Sequence, residues 1–212
     1  MSTIAPSPGL GSPRRWAVFT AGLCCLITGI ALTMAADLGV GSWQVLETGL
    51  VELTGASFAA VAVVESLIVL VVAWVWLGQR PWIATGVLAC AGLGIGALLE
   101  VLGTPETVAG RVGLMGVGMA LLSIGVAFYL ASDLGASAQD SIFVGLYRRY
   151  RLRPGLVRFG LDAGLVAVGV AMGGQFGLGT LVVTLALPLV IEPALRLGHR
   201  LADTPLPESL RT

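Results

Sequence analysis

Two stretches 96 positions apart carry nearly the same five residues, each at the end of a long apolar run: Ala35-Ala36-Asp37-Leu38-Gly39 and Ala131-Ser132-Asp133-Leu134-Gly135. Laying residues 28–50 on 124–146 pairs Gly29, Ala31, Ala35, Asp37, Leu38, Gly39, Gly49 and Leu50 with Gly125, Ala127, Ala131, Asp133, Leu134, Gly135, Gly145 and Leu146, eight identities in 23 positions. An apolar-biased composition gives roughly two by chance. A chain built twice from one unit folds as two similar halves. In membrane proteins such halves pack about a pseudo-two-fold axis and enclose a site, as in many transporters.

The membrane setting follows from composition. Hydrophobic residues make up 56% of the 212 positions and charged residues 11%, with a mean hydropathy of +0.93. A soluble domain of this size cannot keep that much apolar surface from water. The chain reads as an all-α integral membrane protein. Cys24, Cys25 and Cys90 fall inside apolar runs without C-x-x-C spacing, so neither a disulfide framework nor a zinc site is indicated. His199 is the only histidine, which excludes a histidine metal site or a catalytic triad. No cofactor is expected. Arg14-Arg15 before an apolar run has the look of a secretory signal, with residues 33–35 as its cleavage site. That reading fails because a similar small-residue region recurs at 129–131 and five further apolar runs follow.

Long apolar runs occupy residues 16–36, 58–77, 82–102, 112–132, 156–172 and 178–197, most of them reaching the about 20 residues a spanning helix needs. Between them lie two short segments, 42–54 and 138–150, of 13 residues each. A 13-residue helix covers only about 20 Å of a core about 30 Å thick. The first also carries Glu47 and Glu52, which a crossing would bury. Both segments are expected to be interfacial or re-entrant helices, leaving six transmembrane helices as two inverted three-helix repeats. The expected organisation is a disordered cytoplasmic lead-in at 1–14, a first repeat at 15–104, a second at 105–197 and a cytoplasmic tail at 198–212.

All twelve basic residues are arginine. With both termini cytoplasmic, eleven of them fall inside and Arg111 alone outside. If both short segments crossed, the result would be eight helices and parallel repeats. Arg111 and Arg80 would then exchange sides and the score would not change. Charge therefore places both termini in the cytoplasm of a plasma-membrane protein without choosing between six and eight. Segment length and the two glutamates favour six.

At the duplicated motif, Leu-Gly after a transmembrane run reads as a helix C-terminus, with Gly39 or Gly135 free to take the left-handed conformation. A new helix starts two residues on. Ser137 with Asp140 fits an S-x-x-D capping box, and the matched Gly41 and Gln44 form a weaker version. The break is either a joint the fold needs or, through its unwound backbone and helix N-terminus, a ligand or ion site. Here Gly29-Ile30-Ala31-Leu32 and then Asp37-Leu38-Gly39-Val40-Gly41-Ser42-Trp43-Gln44-Val45-Leu46 resemble the signature of the YczE/YyaS/YitT family of bacterial membrane proteins. That pattern reads approximately L-G-x-x-P-W-D-V-L. Leu38, Gly39, Trp43, Val45 and Leu46 match, Ser42 replaces the proline and Gln44 the aspartate, while Asp140 keeps the aspartate in the second copy. Gly177-Leu178-Gly179-Thr180 resembles the family's later G-x-G-T turn. The resemblance implies a multi-spanning plasma-membrane protein and carries over no reaction.

Ionisable residues are costly in a bilayer and so are the first functional candidates. Glu65 and Asp162 lie at similar depth in corresponding helices of the two halves. Arg158 and Asp162, spaced i, i+4, can instead neutralise each other as a structural pair. The candidate substrate- or ion-binding set is Glu65, Asp162, Asp37, Gly39, Asp133, Gly135, Gln44 and Asp140. Glu100 and Glu192 read as headgroup-level residues. Residues 147–153, rich in arginine and tyrosine, read as a topology determinant meeting anionic lipid and not as a nucleic-acid site. Glycines four apart (Gly92 and Gly96, Gly160 and Gly164, Gly169 and Gly173) read as close-packing faces, within the chain or in a homo-oligomer.

No nucleophile-base pair or phosphate-binding loop is present, so an enzyme is not expected. The leading expectation is a small-molecule or ion transporter with its site at the repeat interface. The alternative is a membrane scaffold or regulatory partner acting through the arginine-rich loop.

Overall fold

The computed structural model describes residues 12–79, 83–135, 137–151 and 154–204, though not the side chains at 144, 147–148, 154–156 and 185–193. Among the described residues every regular element is helical: α1 Pro13–Ala35, α2 Ser42–Thr54, α3 Phe58–Val75, α4 Ile83–Ala89, α5 Ala91–Leu99, α6 Val108–Ala131, α7 Ala138–Tyr150, α8 Pro154–Ala171 and α9 Leu178–Ala202. α1, α3 and α6 are long and apolar enough to cross a membrane. α3 shows why water is the wrong solvent. Val64, Leu67, Ile68, Val71, Trp74 and Val75 form one exposed stripe at helical spacing, which only lipid accommodates at no cost.

Some expected boundaries move. α1 begins at Pro13, with Ser12 as N-cap accepting from the Arg15 N–H at 3.4 Å, so residues 13 and 14 of the expected lead-in are helical. Proline suits a first helical position because its missing N–H would be unpaired there anyway. α9 runs to Ala202, which makes 198–202 of the expected tail helical as well. The third apolar run is broken at Cys90 into α4 and α5. Residues 1–11, Arg80, Arg153 and Arg211 lie outside the described residues.

α1 and α6 form the central pair. Gly22 packs on Gly125 and Gly29 on Gly118, so residue numbers rise along one helix as they fall along the other and the two run antiparallel. The backbones nearly touch. A Cβ at Gly125 would stand 2.7 Å from the Leu26 Cα and 2.8 Å from the Gly22 carbonyl oxygen. Ile30, Met34, Val45, Met115, Leu122 and Val183 fill the core beside this seam. Of the glycine pairs expected to mediate packing, Gly92 and Gly96 do so, since a Cβ at either would meet Ala62 or Ala59 at 2.6 Å. Gly169 packs on Val45, and Gly173 faces Glu52 with a positive φ of 87°. Gly160 and Gly164 do not pack within the chain, because nothing lies within 4 Å of a Cβ at either.

Two pairings cross between the halves, α2 on α8 and α7 on α3, while α5 packs on α1 and α9 on α6 within them. Adding 96 to the bounds of α2 and α3 gives those of α7 and α8. Unusual backbone recurs at the same offset: φ is 53° at Asp37 and 55° at Asp133, 119° at Gly39 and 151° at Gly135, 68° at Gly55 and 52° at Arg151.

The residues leading into each short helix and the helix's last turn lie at the same end of the molecule, near the connection of α8 to α9 for α2 and of α3 to α4 for α7. Asp37, before α2, is bonded to Gln175, and Glu52 near its end lies against Gly173. Gly135, before α7, lies against Ala84 and Thr85 at the start of α4. The last turn of α7 meets the end of α3, where Trp76 stacks edge-on with Tyr150 at 6.3 Å and its carbonyl accepts from Arg149.

Candidate functional site

The duplicated break is built differently from the expected glycine cap. α1 ends at Ala35, and it is Asp37 that takes the left-handed conformation, as Asp133 does after α6. Aspartate tolerates that region better than most residues. The glycines two residues on also have positive φ, 119° at Gly39 and 151° at Gly135, and they permit close approach as well. A Cβ at Gly39 would stand 2.7 Å from the Thr180 nitrogen, and one at Gly135 would stand 3.0 Å from the Thr85 hydroxyl. The first break therefore docks on the start of α9 and the second on the start of α4. The unwound backbone of the first break is already satisfied: Gly179 N–H donates to the Leu38 carbonyl at 2.7 Å, and Val40 N–H donates to Thr180 Oγ1 at 3.1 Å. Buried backbone requires such partners, and here they make the break a joint.

Asp37 and Asp133 are held in matched ion pairs. Arg111 Nη1 lies 3.3 Å from Asp37 Oδ2, and Arg15 Nη1 lies 4.0 Å from Asp133 Oδ2. The partners exchange halves, since Arg15 and Arg111 are themselves 96 apart. Gln175 Nε2 adds a bond to Asp37 Oδ1 at 2.8 Å. Burial pushes the Asp133 carboxyl above its ordinary value, with the nearby Arg15 and His199 charges opposing.

Between the halves lies a cavity of about 870 Å³, to which every one of the described helices contributes. It falls within the usual range for small-molecule sites. Most of the wall is apolar, and its polar groups come chiefly from α2, α7 and α8. Ser42 Oγ, at the start of α2, donates to Asp162 Oδ1 at 2.6 Å, and Arg158 Nε donates to Asp162 Oδ2 at 2.8 Å. Ser137 caps α7 by accepting from Asp140 N–H at 3.0 Å. The Asp140 carboxylate accepts from the Ser137 and Tyr129 hydroxyls, which replaces the reciprocal half of the expected capping box. The N-termini of α2 and α7 thus each have a carboxylate of the chain's own beside them, the favourable sign for the helix dipole.

Two further carboxyls have no such arrangement. Glu47 on α2 and Glu65 on α3 are 4% and 7% exposed, and one oxygen of each, Glu47 Oε2 and Glu65 Oε1, has no hydrogen-bond partner. The two side chains are close enough to interact electrostatically. Glu47 lines the cavity, and Glu65 lies behind it, next to Ser66 and the Gln139 side chain.

Of the eight residues singled out in the sequence, Gln44, Asp140 and Asp162 line the cavity, and Glu65 lies outside the lining, next to Ser66 and Gln139. Asp37, Gly39, Asp133 and Gly135 are absent from its described lining, because they form the joints at the two ends. The pair Arg158 and Asp162 forms as the i, i+4 spacing indicates. Glu47, Ser42 and Tyr129 were missed as site residues. Glu47 was visible as a carboxyl in a segment too short to cross, and Tyr129 carried no local signal. Glu100 caps the C-terminal end of α5 in an exposed position, and the side chain of Glu192 lies outside the described residues.

Relatives of the chain are recognisable by sequence. It is 28% identical over 184 residues to an uncharacterized protein of Haemophilus influenzae, covering 86% of this chain and 84% of the relative. It is 26% identical over 183 residues to the uncharacterized membrane protein YczE of Bacillus subtilis, covering 84% of each. No solved structure matches. A profile described as a family of unknown function matches residues 13–193. That is most of the chain and, with the likeness to YczE, it bears out the resemblance read from the motif around Leu38, Gly39 and Trp43: the protein belongs to the family of unknown function DUF6198.

Proposed function

We propose that the protein is a small-molecule or ion transporter of the bacterial plasma membrane, built from two inverted halves of three crossings each. The cavity carries this reading: it lies between the halves and takes polar groups from both short helices. The matched helix bounds, the exchanged pairings α2 with α8 and α7 with α3, and the exchanged ion pairs support a two-fold relation between the halves. The return of each short helix to the end of the molecule at which it starts supports re-entry over crossing, and so six crossings over eight. Arg111 stands at one end of the molecule with Asp37, while Arg15 and Arg149 stand at the other. The excess of arginine at that second end favours both termini being cytoplasmic.

The test is flux in proteoliposomes of the purified chain, screened with protons, alkali cations and small organic solutes. Uptake above empty liposomes, abolished by Glu65→Gln with Asp162→Asn, supports transport. Absence of any flux across the panel counts against it. The scaffold reading draws less support, since Arg149 of the arginine-rich loop is spent on Trp76 within the chain, where it lies 5.9 Å from the ring centroid.

A further inference from the structure

We infer that the cavity binds an organic ammonium ion, with Glu47 in its wall, backed by Glu65, receiving its charge and aromatic side chains receiving its body. The inference takes the cavity of the transport reading and adds the class of ligand. Four carboxyls stand in or beside this space and one guanidinium, Arg158. Asp162 has Arg158 and Ser42, and Asp140 has Tyr129 and Ser137. The N-termini of α2 and α7 have their carboxylates. What remains is Glu47 in the cavity wall and Glu65 behind it, both buried and each with one oxygen that has no hydrogen-bond partner. A buried carboxyl oxygen without a donor costs free energy, and a cation with N–H groups supplies both the charge and the donors.

The rest of the lining selects among cations. Trp43, Phe159, Phe176 and Tyr129 reach the cavity, and its wall is mainly aliphatic otherwise. Aromatic faces attract an ammonium group and accept an apolar body, whereas a hard metal ion calls for six or more oxygen ligands. Among the described residues no group of three acidic, histidine or cysteine side chains stands close enough to hold a metal. The volume of about 870 Å³ also suits an organic molecule far better than a bare ion.

The experiment is equilibrium binding of radiolabelled phenethylamine, cationic at neutral pH, to the full chain in detergent. Phenylacetate and 2-phenylethanol serve as anionic and neutral competitors of the same shape. Saturable binding that neither competitor displaces, and that weakens about tenfold or more in Glu47→Gln and in Glu65→Gln, is expected. Glu47→Asp, which keeps the charge, retains measurable binding, and Glu52→Gln on the exposed side of α2 leaves binding unchanged, with elution as one monodisperse peak checking the fold of each variant. Equal displacement by the neutral or anionic analogue overturns the inference, as does unaltered binding in a folded Glu47→Gln variant or no binding at all. Binding without flux in proteoliposomes would remove the transport reading and leave the ammonium site. Flux of another solute with no phenethylamine binding would do the reverse.

Discussion

One substitution, glycine to alanine, changes stability in opposite directions at two helix positions of this chain. At Gly125 the new Cβ would lie 2.7 Å from the Leu26 Cα and 2.8 Å from the Gly22 carbonyl oxygen, where non-bonded carbons settle at about 3.5 Å. Both obstructing atoms are backbone, so no rotamer change relieves the contact. α1 and α6 must separate by roughly 1 Å along the seam that carries the core, an overpacking that costs about 1–3 kcal/mol. For a chain of this size that corresponds to a melting temperature lower by roughly 3–10 °C. At Gly160 nothing lies within 4 Å. Alanine there loses no packing and gains up to about 1 kcal/mol in helix propensity, so Gly160→Ala melts at or slightly above the parent. The assay is the fraction of detergent-purified protein left monodisperse after heating, with circular dichroism reporting helix content. A Gly125→Ala variant as stable as the parent, or a Gly160→Ala variant that falls as far, refutes the antiparallel glycine seam.

Two other expectations follow from the ends of the molecule. Burial holds the folded Asp133 carboxyl above the ordinary aspartate value of 3.8. The folded state therefore binds more protons than the unfolded one in the window opening upward from that value, and stability falls as pH rises through it. Asp133→Asn removes the titration. The variant's melting temperature relative to the parent should rise between pH 4 and pH 7, and a constant difference would refute the burial argument. With six crossings, a cysteine at Arg111 labels from outside in intact cells and one at Gln79 only after permeabilisation. Eight crossings require the reverse.

The helix map was largely readable because its punctuation is local. Gly41 and Gly55 bracket α2, and Ser137 begins α7, at the positions the structure shows. The break motif was readable as a break, and a joint was one of its two readings, but its partners Gly179 and Thr180 lie some 140 residues away and no local pattern connects them. The glycine seam was hidden in plain view. Gly22, Gly29, Gly118 and Gly125 recur at seven-residue spacing and map onto one another at the repeat offset, yet four-residue pairs drew attention because they are the familiar close-packing pattern. Glu47 counted as an argument about crossing number. Only the packing of α2 on α8 and α3 showed its carboxyl buried in the cavity wall. Residues that form pairs across halves escape a reading that runs along the chain.

Transport requires that the cavity open to each side of the membrane in turn. The direct measurement is labelling of Ser66→Cys, a near-isosteric change at a buried residue of the cavity lining, in a chain whose Cys24, Cys25 and Cys90 are replaced by alanine. A membrane-impermeant maleimide is applied to right-side-out and to inside-out vesicles. Alternating access predicts modification in both preparations, while modification from one side only, or from neither, contradicts it.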